Sequence, residues 1–176
     1  MIFNWTSRFA GLAVAIAVAA PLAAQSTALP GGASSVQETF ESWVVACVQD
    51  GSAKRCALSQ QQTDQQSHQR VLAIELSAAS GDKVEGALVL PFGLALDRGV
   101  TLQVDESPAG PTLRFRTCLP AGCVVPLSFD AKLLAALRKG AALKVNAVAD
   151  NGKDTVFTIS LKGFPAALDR TASLAK

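Results

Sequence analysis

The spacing of the apolar residues constrains the fold more than any other feature of this chain. Apolar residues alternate with polar ones, or run together over the length of a strand, at 43–48, 71–76, 87–90, 100–104, 113–118 and 123–127. Clusters of Gly, Pro, Asp and Ser separate these segments, as turns between strands require. The pattern predicts a mainly β fold, either an antiparallel sandwich or a small barrel.

One segment has a helical period instead. Leucines recur at helical spacing after Ser128 or Asp130, either of which can cap the start of a helix, and Gly140 follows the last turn. We therefore predict one short amphipathic helix, at about 130–139, inserted among the strands.

The last predicted hairpin shows how the sequence sets strand register. Apolar residues occupy alternate positions at 143–147 and 157–161. A two-residue Asn-Gly turn between them would put the two apolar rows on opposite faces. A three-residue loop with Gly152 in the left-handed conformation pairs Val145 with Phe157 and keeps both rows on one face. The sequence therefore predicts the three-residue loop.

The amino-terminal segment has the composition of a secretory signal. Arg8 precedes an apolar run at 9–20, and small residues precede Gln25, as a signal peptidase requires. The run is shorter than the about 20 residues of a membrane-spanning helix, so no transmembrane segment is expected in the mature protein. The predicted organisation is a signal peptide at 1–24, a flexible leader at 25–38, a single β domain at 39–170 and a C-terminal tail at 171–176.

Length and charge exclude two broad classes of protein. The chain has 176 residues, the size of one ordinary domain, so a second catalytic domain is not expected. Its 16 basic and 14 acidic residues are interspersed and give a net charge of +2. No basic stripe for a phosphate backbone results, and we expect no nucleic-acid partner.

Four cysteines form two closely spaced pairs. An even number of cysteines in an exported chain predicts disulfides. Of the three possible connectivities, Cys47–Cys56 with Cys118–Cys123 is favoured, because each pair brackets a short turn. The alternative of a zinc site does not fit the spacing, and no histidine lies near either pair. A redox-active pair is not predicted, because the Cys-x-x-Cys spacing is missing.

Motifs for catalysis are missing from the sequence. It contains no Gly-x-Ser-x-Gly elbow, His-Glu-x-x-His, Gly-x-Gly-x-x-Gly or Walker loop. His68, the single histidine, lies in the polar stretch 59–70, which is typical of an exposed loop or strand edge. The neighbouring Asp105 and Glu106 would point apart on a strand. No catalytic residue, cofactor or metal site is therefore predicted.

Two basic pairs are the candidates for a binding surface. Arg114 and Arg116 share one face of a predicted strand and can hold an anionic ligand, and Lys54 with Arg55 forms a second pair. The alternative is a solvated strand face whose charges discourage edge-to-edge pairing.

Trp43 shares one face of a predicted strand with Val45 and Cys47. A disulfide is apolar and rarely exposed, so the face that carries Cys47 is expected to be the inner one. We therefore expect Trp43 to be buried near the Cys47–Cys56 bridge as a core residue, and not exposed as a platform for a ligand.

Four segments of the sequence form a set: residues 43–47 with the second cysteine at 56, 90–94 followed by 97–102, 115–123, and 159–168. Together they resemble the invasion-associated locus B family of alphaproteobacterial exported proteins. The resemblance implies a signal peptide, a mainly β fold, two disulfides and a location in the periplasm or at the outer membrane. In pathogens the family is associated with host-cell entry and virulence, and it supplies no catalytic residues to carry over.

Two functions from different classes follow as hypotheses. The first is a non-enzymatic protein, periplasmic, associated with the outer membrane or secreted, that binds an unknown protein or envelope component. The alternative is a periplasmic hydrolase or isomerase with a carboxylate site. A cleft that gathers Asp97, Asp105 or Glu106 against Arg114 would favour the enzyme, and scattered charges would favour the binding protein.

Overall fold

The computed structural model describes residues 29–51, 53–66, 70–77 and 83–176. This part contains ten strands and two α-helices, with short 3₁₀ turns at Pro30–Gly32 and Leu96–Arg98. In chain order the elements are β1 (Ser35–Phe40), β2 (Trp43–Asp50), β3 (Ala53–Thr63), β4 (Arg70–Ser77), β5 (Val84–Leu90), β6 (Thr101–Val104), β7 (Thr117–Leu119), β8 (Gly122–Phe129), α1 (Ala131–Lys139), β9 (Ala142–Val148), β10 (Asp154–Ser160) and α2 (Phe164–Leu174).

The strands form two antiparallel sheets. The larger has seven strands in the order β1-β2-β3-β4-β5-β8-β7, and the smaller has three in the order β10-β9-β6. Strands β1 to β5 are neighbours both in sequence and in space. The chain then enters the small sheet at β6 and returns to the large one at β7. The predicted mainly β, antiparallel fold is confirmed, with two sheets in place of one closed barrel.

One hydrophobic core joins both sheets and both helices. Alternate side chains are buried on β2, β3, β4 and β8 of the large sheet and on β9 of the small sheet. This period of two gives each sheet one inner face. The buried side chains of both sheets, with Leu137 of α1 and Phe164 of α2, belong to a single cluster.

Both local disulfides are confirmed. Cys47 lies directly opposite Cys56 on β2 and β3, and Cys118 lies opposite Cys123 on β7 and β8. The Cα–Cα distances are 4.1 Å and 3.9 Å. Each bridge therefore fixes the register of one hairpin.

The predicted last hairpin and first helix are also confirmed. Val145 pairs with Phe157, and Gly152 has a φ of 83° in the loop between β9 and β10. At the start of α1 the Asp130 carboxylate accepts the Leu133 N–H at 2.8 Å, which satisfies an otherwise unpaired helix donor.

The folded part begins earlier and continues further than predicted. Leu29 is buried and β1 begins at Ser35, so the predicted leader at 25–38 is in part structured. At the other end, α2 runs through the start of the predicted tail. Its apolar residues, among them Phe164 and Leu168, are buried against the core. The predicted signal peptide at 1–24 lies outside the described residues.

Two predicted segments differ from the structure. Of the predicted strand at 113–118, only Thr117 and Cys118 lie in a strand, β7, because this segment crosses between the sheets. Leu113 bridges to Val100 beside β6, whereas Thr117 pairs with β8. In the polar stretch at 59–70, β3 continues to Thr63, and His68 lies outside the described residues.

Two glutamines of β3 hold the outer edge of β10. The Gln60 amide donates to the Ser160 carbonyl at 2.9 Å and accepts the Ser160 N–H at 3.2 Å. The Gln62 amide donates to the Thr158 carbonyl at 2.7 Å. These contacts satisfy backbone groups that β9 cannot reach, and they join the small sheet to the large one.

Two ion pairs hold α2 in place. Arg170 binds both carboxylate oxygens of Glu38 on β1, at 2.8 Å and 2.7 Å. Arg138 on α1 binds Asp169 at 2.6 Å. Hydrogen bonds from Arg170 hold the pKa of Glu38 below its usual range, and Arg138 lowers the pKa of Asp169 in the same way.

We expect the protein to lose stability in acid, through these two carboxylates. Because their folded-state pKa values lie below the unfolded ones, their stabilisation is complete at neutral pH and is lost as the pH falls below about 5. Both pairs are partly exposed, so solvent and salt screen them and each contribution is small. In melting curves measured against pH, Glu38→Gln should show a smaller acid loss than the unaltered protein. Glu106→Gln, which removes an exposed carboxylate, is the control, and an equal flattening in both variants would contradict the assignment.

Candidate functional site

The two predicted basic pairs lie on different parts of the large sheet. Lys54 and Arg55 are on β3, and Arg55 pairs with Asp50 at 3.1 Å in the same hairpin. Arg114 and Arg116 are exposed in the segment that leads into β7. Three strands, β4, β5 and β8, lie between β3 and β7. The structure therefore does not bring the two pairs together into one anion-binding site.

The candidate catalytic carboxylates have separate surroundings. Asp105 accepts the backbone N–H groups of Ala141 and Ala142, at 3.1 Å and 2.8 Å, and so ends β6 against the start of β9. Glu106 is exposed and pairs with Lys144 at 2.6 Å. Asp97 lies in the exposed 3₁₀ turn Leu96–Arg98. Asp105 therefore holds backbone in place, and Glu106 forms a surface ion pair.

The described residues contain no cluster of metal-ligand side chains. Within residues 29–51, 53–66, 70–77 and 83–176, no group of three or more His, Cys, Asp or Glu side chains is arranged to hold a metal ion. None of the helices in the same ranges is both long enough and apolar enough to cross a membrane.

Trp43 is a core residue, as predicted. Its side chain is fully buried, and its ring centroid lies 5.1 Å from that of Phe164 in an edge-to-face contact. Its indole N–H donates to the Ser160 carbonyl at 2.9 Å. The residue therefore joins β2 to β10 and α2, and is not available as a platform for a ligand.

Three exposed apolar side chains occur beyond the end of β5 and at the end of β7: Phe92 and Leu96 lie in the segment after β5, and Leu119 is the last residue of β7. Phe92 is 62% exposed, Leu96 43% and Leu119 53%. Phe92 follows the last residue of β5, and Leu119 precedes the turn into β8, whose first residues pair with that end of β5. We call these three residues the loop-end surface. The register places the residues after Leu90 beside the turn that follows Leu119, and large exposed apolar side chains are candidates for a binding surface.

The loop that carries Phe92 and Leu96 has a fixed backbone. The Ala95 N–H donates to the Val148 carbonyl at 2.8 Å, and the Asp150 N–H donates to the Gly93 carbonyl at 2.9 Å. Leu94, between the two exposed residues, is buried in the core. The apolar side chains are therefore presented from an ordered loop, which lowers the entropy cost of binding.

A shallow groove of about 450 Å³ lies on the small sheet beside the same loop. Its lining mixes charged, polar and apolar groups, among them Arg98, Asn146, Val148 and Val156. Val156 is half exposed. The groove is open, and Arg98 and Asp154 are the charged residues of its lining.

None of the loop-end residues is among the binding residues that the sequence predicts. The signal that could have found Phe92 is a large apolar side chain between Pro91 and Gly93, because turn segments are usually polar.

The mainly β fold with two sheets and two hairpin disulfides defines a disulfide-stapled β scaffold. The family model for Invasion associated locus B (IalB) proteins matches residues 43–172. The chain belongs to this family.

Individual relatives agree with this assignment. The chain is 46% identical over 170 residues to an invasion protein B homolog of Brucella abortus, covering 96% of this chain and 98% of the relative. It is 40% identical over 152 residues to invasion protein B of Bartonella bacilliformis, covering 84% and 81%. The crystal structure of invasion associated protein B from Bartonella henselae superposes with a TM-score of 0.74 at 33% identity, over 79% of this chain and 96% of that one.

Proposed function

We propose that this protein is an exported, non-enzymatic binding protein of the bacterial envelope, and that it binds a protein or envelope component through the loop-end surface. The observation that carries the proposal is the exposure of Phe92 on a loop whose backbone is held on both sides. Covering an exposed aromatic side chain with a partner removes apolar surface from water, which lowers the free energy of the complex.

Export is supported by the signal-like sequence at the amino terminus and by the two disulfides. Disulfides form and persist in oxidising compartments such as the periplasm. The non-enzymatic part is supported by the partners of Asp105 and Glu106, whose carboxylates bind the backbone N–H groups of Ala141 and Ala142 and the Lys144 ammonium group. The relatives are named invasion proteins, and a fixed apolar surface is suited to recognition of a host or envelope protein.

The proposal is tested by using the protein as bait to capture binding partners from an envelope extract under non-reducing conditions. The bait is the protein purified from the periplasmic fraction, and we expect its first residue to be near Gln25. Phe92→Ser should weaken capture of a bound protein by about tenfold or more, as loss of a central apolar contact does.

Val48→Ser is the matched control. Val48 is 53% exposed. The strand register places it at the end of the large sheet that is opposite the Leu90 end of β5, and therefore away from the loop-end surface. Equal capture by both variants would contradict the assignment of the surface. An intact Met1 on cytosolic protein would contradict export.

A further inference from the structure

The two disulfides differ in their access to solvent. Cys47 and Cys56 are 1% and 6% exposed and lie on strands that have a neighbour on each side. Cys123 is 2% exposed, but its partner Cys118 is exposed on β7, the last strand of the large sheet. Of the four cysteines, Cys118 alone is therefore accessible to a reagent in the solvent.

Strand β7 is a small part of the sheet. It has three residues, all exposed, and pairs with β8 alone. The Arg116 N–H donates to the Val124 carbonyl at 2.8 Å, so the backbone of Val124 faces this edge of the sheet. By the period of two, Pro126 faces the same edge, and proline has no N–H to offer to another strand. The edge of β8 is thus partly protected without β7.

We propose that Cys118–Cys123 is a site of thiol–disulfide exchange, at which a thiol such as glutathione or a dithiol reductant attacks the sulfur of Cys118. The sequence lacks the Cys-x-x-Cys spacing of an oxidoreductase, so this bridge is the substrate of the exchange. Exposed disulfides are the labile ones, whereas buried disulfides resist reduction.

The exchange has two steps. The incoming thiolate forms a bond to Cys118 Sγ, the bond between the two cysteine sulfurs breaks, and its electron pair leaves on Cys123, which takes a proton from water. A second thiolate then attacks the mixed disulfide at the sulfur of the incoming group. It releases Cys118 as a thiol and an oxidised disulfide of the reductant.

Reduction changes one end of the loop-end surface. Leu119 follows Cys118 directly, and the bridge closes the hairpin that presents it. Loss of the bridge frees β7 from the sheet edge and with it the fixed position of Leu119. This link to binding rests on the proposed function, whereas the exchange itself does not.

The test uses the folded mature protein and graded concentrations of glutathione, followed by alkylation and peptide mass spectrometry. We expect Cys118 and Cys123 to become alkylated at a thiol concentration about tenfold or more below that needed for Cys47 and Cys56. The glutathione adduct should be on Cys118. Reduction of both bridges in parallel, or an adduct on Cys123, would overturn the proposal.

A variant with both Cys118→Ser and Cys123→Ser provides the control. It should keep the circular dichroism of the folded protein and lose the reaction at low glutathione. Capture with the reduced and the oxidised protein then separates the two proposals. Selective reduction with unchanged capture keeps the exchange site and rejects its link to the loop-end surface.

Discussion

Trp43→Ala is expected to lower the free energy of unfolding by about 3–5 kcal/mol, which is a large share of the stability of an ordinary domain. The substitution leaves a cavity in the centre of the core and removes the ring contact with Phe164. It also leaves the Ser160 carbonyl with Gln60 as its one remaining side-chain donor. The loss therefore combines apolar burial with a buried hydrogen bond.

Urea or thermal unfolding measures this loss, and Trp43→Phe is the matched control. Phenylalanine keeps an aromatic ring beside Phe164 but has no N–H for Ser160, so it should cost less than alanine. Trp43 is the only tryptophan in the described part of the chain, and its emission in the mature protein should be that of a buried indole. A solvent-like emission maximum with an unchanged melting temperature would reassign Trp43 to the surface.

Gly163→Ala is expected to destabilise the protein by about 2–4 kcal/mol, because it combines a strained conformation with a backbone collision. Gly163 precedes α2 and has a φ of 83°, in the left-handed region. A Cβ at this position would lie 2.1 Å from the Phe40 carbonyl oxygen and 2.7 Å from its carbon. Either β1 or the start of α2 would have to move.

Gly152→Ala separates the two contributions. Gly152 has the same φ of 83°, but a Cβ there would have no heavy atom within 4 Å. Its alanine variant should cost only the conformational strain, about 1–2 kcal/mol. The difference between the two variants in urea unfolding measures the contact between β1 and α2. Equal losses would show that this contact does not constrain Gly163.

Short-range patterns predict much of the fold. The alternation around Trp43 and Cys47 identifies the inner face of β2, and the apolar rows on either side of Gly152 set the register of β9 and β10. Both depend on neighbouring residues, so sequence alone is sufficient. Helix α2 is different. It is held by packing on β1, β2 and β3, which are distant in the sequence. Its apolar residues follow closely on those of the preceding strand, so the sequence pattern does not separate the helix from that strand.

The candidate site was less accessible to sequence reasoning, because it depends on exposure. The position between Pro91 and Gly93 marks Phe92 as a turn residue, but Leu94 follows in the same apolar segment, and the local sequence does not show that its side chain is buried. Their difference arises where Leu94 bridges to Ala149 of the distant hairpin. Asp105 is a similar case, because its partner Ala141 is 36 residues away. Contacts between residues this far apart in the sequence decide whether a carboxylate is free to react or accepts hydrogen bonds from the backbone.

The contacts of Gln60 and Gln62 with β10 also set an order for folding. Gln60 and Ser160 are 100 residues apart, so their contact closes a long loop, whereas the hairpins from β1 to β5 close short ones. Contacts between distant residues form late because their loop-closure entropy is large. Until the side chains of Gln60 and Gln62 form these hydrogen bonds, the outer edge of β10 is open to pairing with another chain. Aggregation through this strand is therefore favoured before the closure and hindered after it.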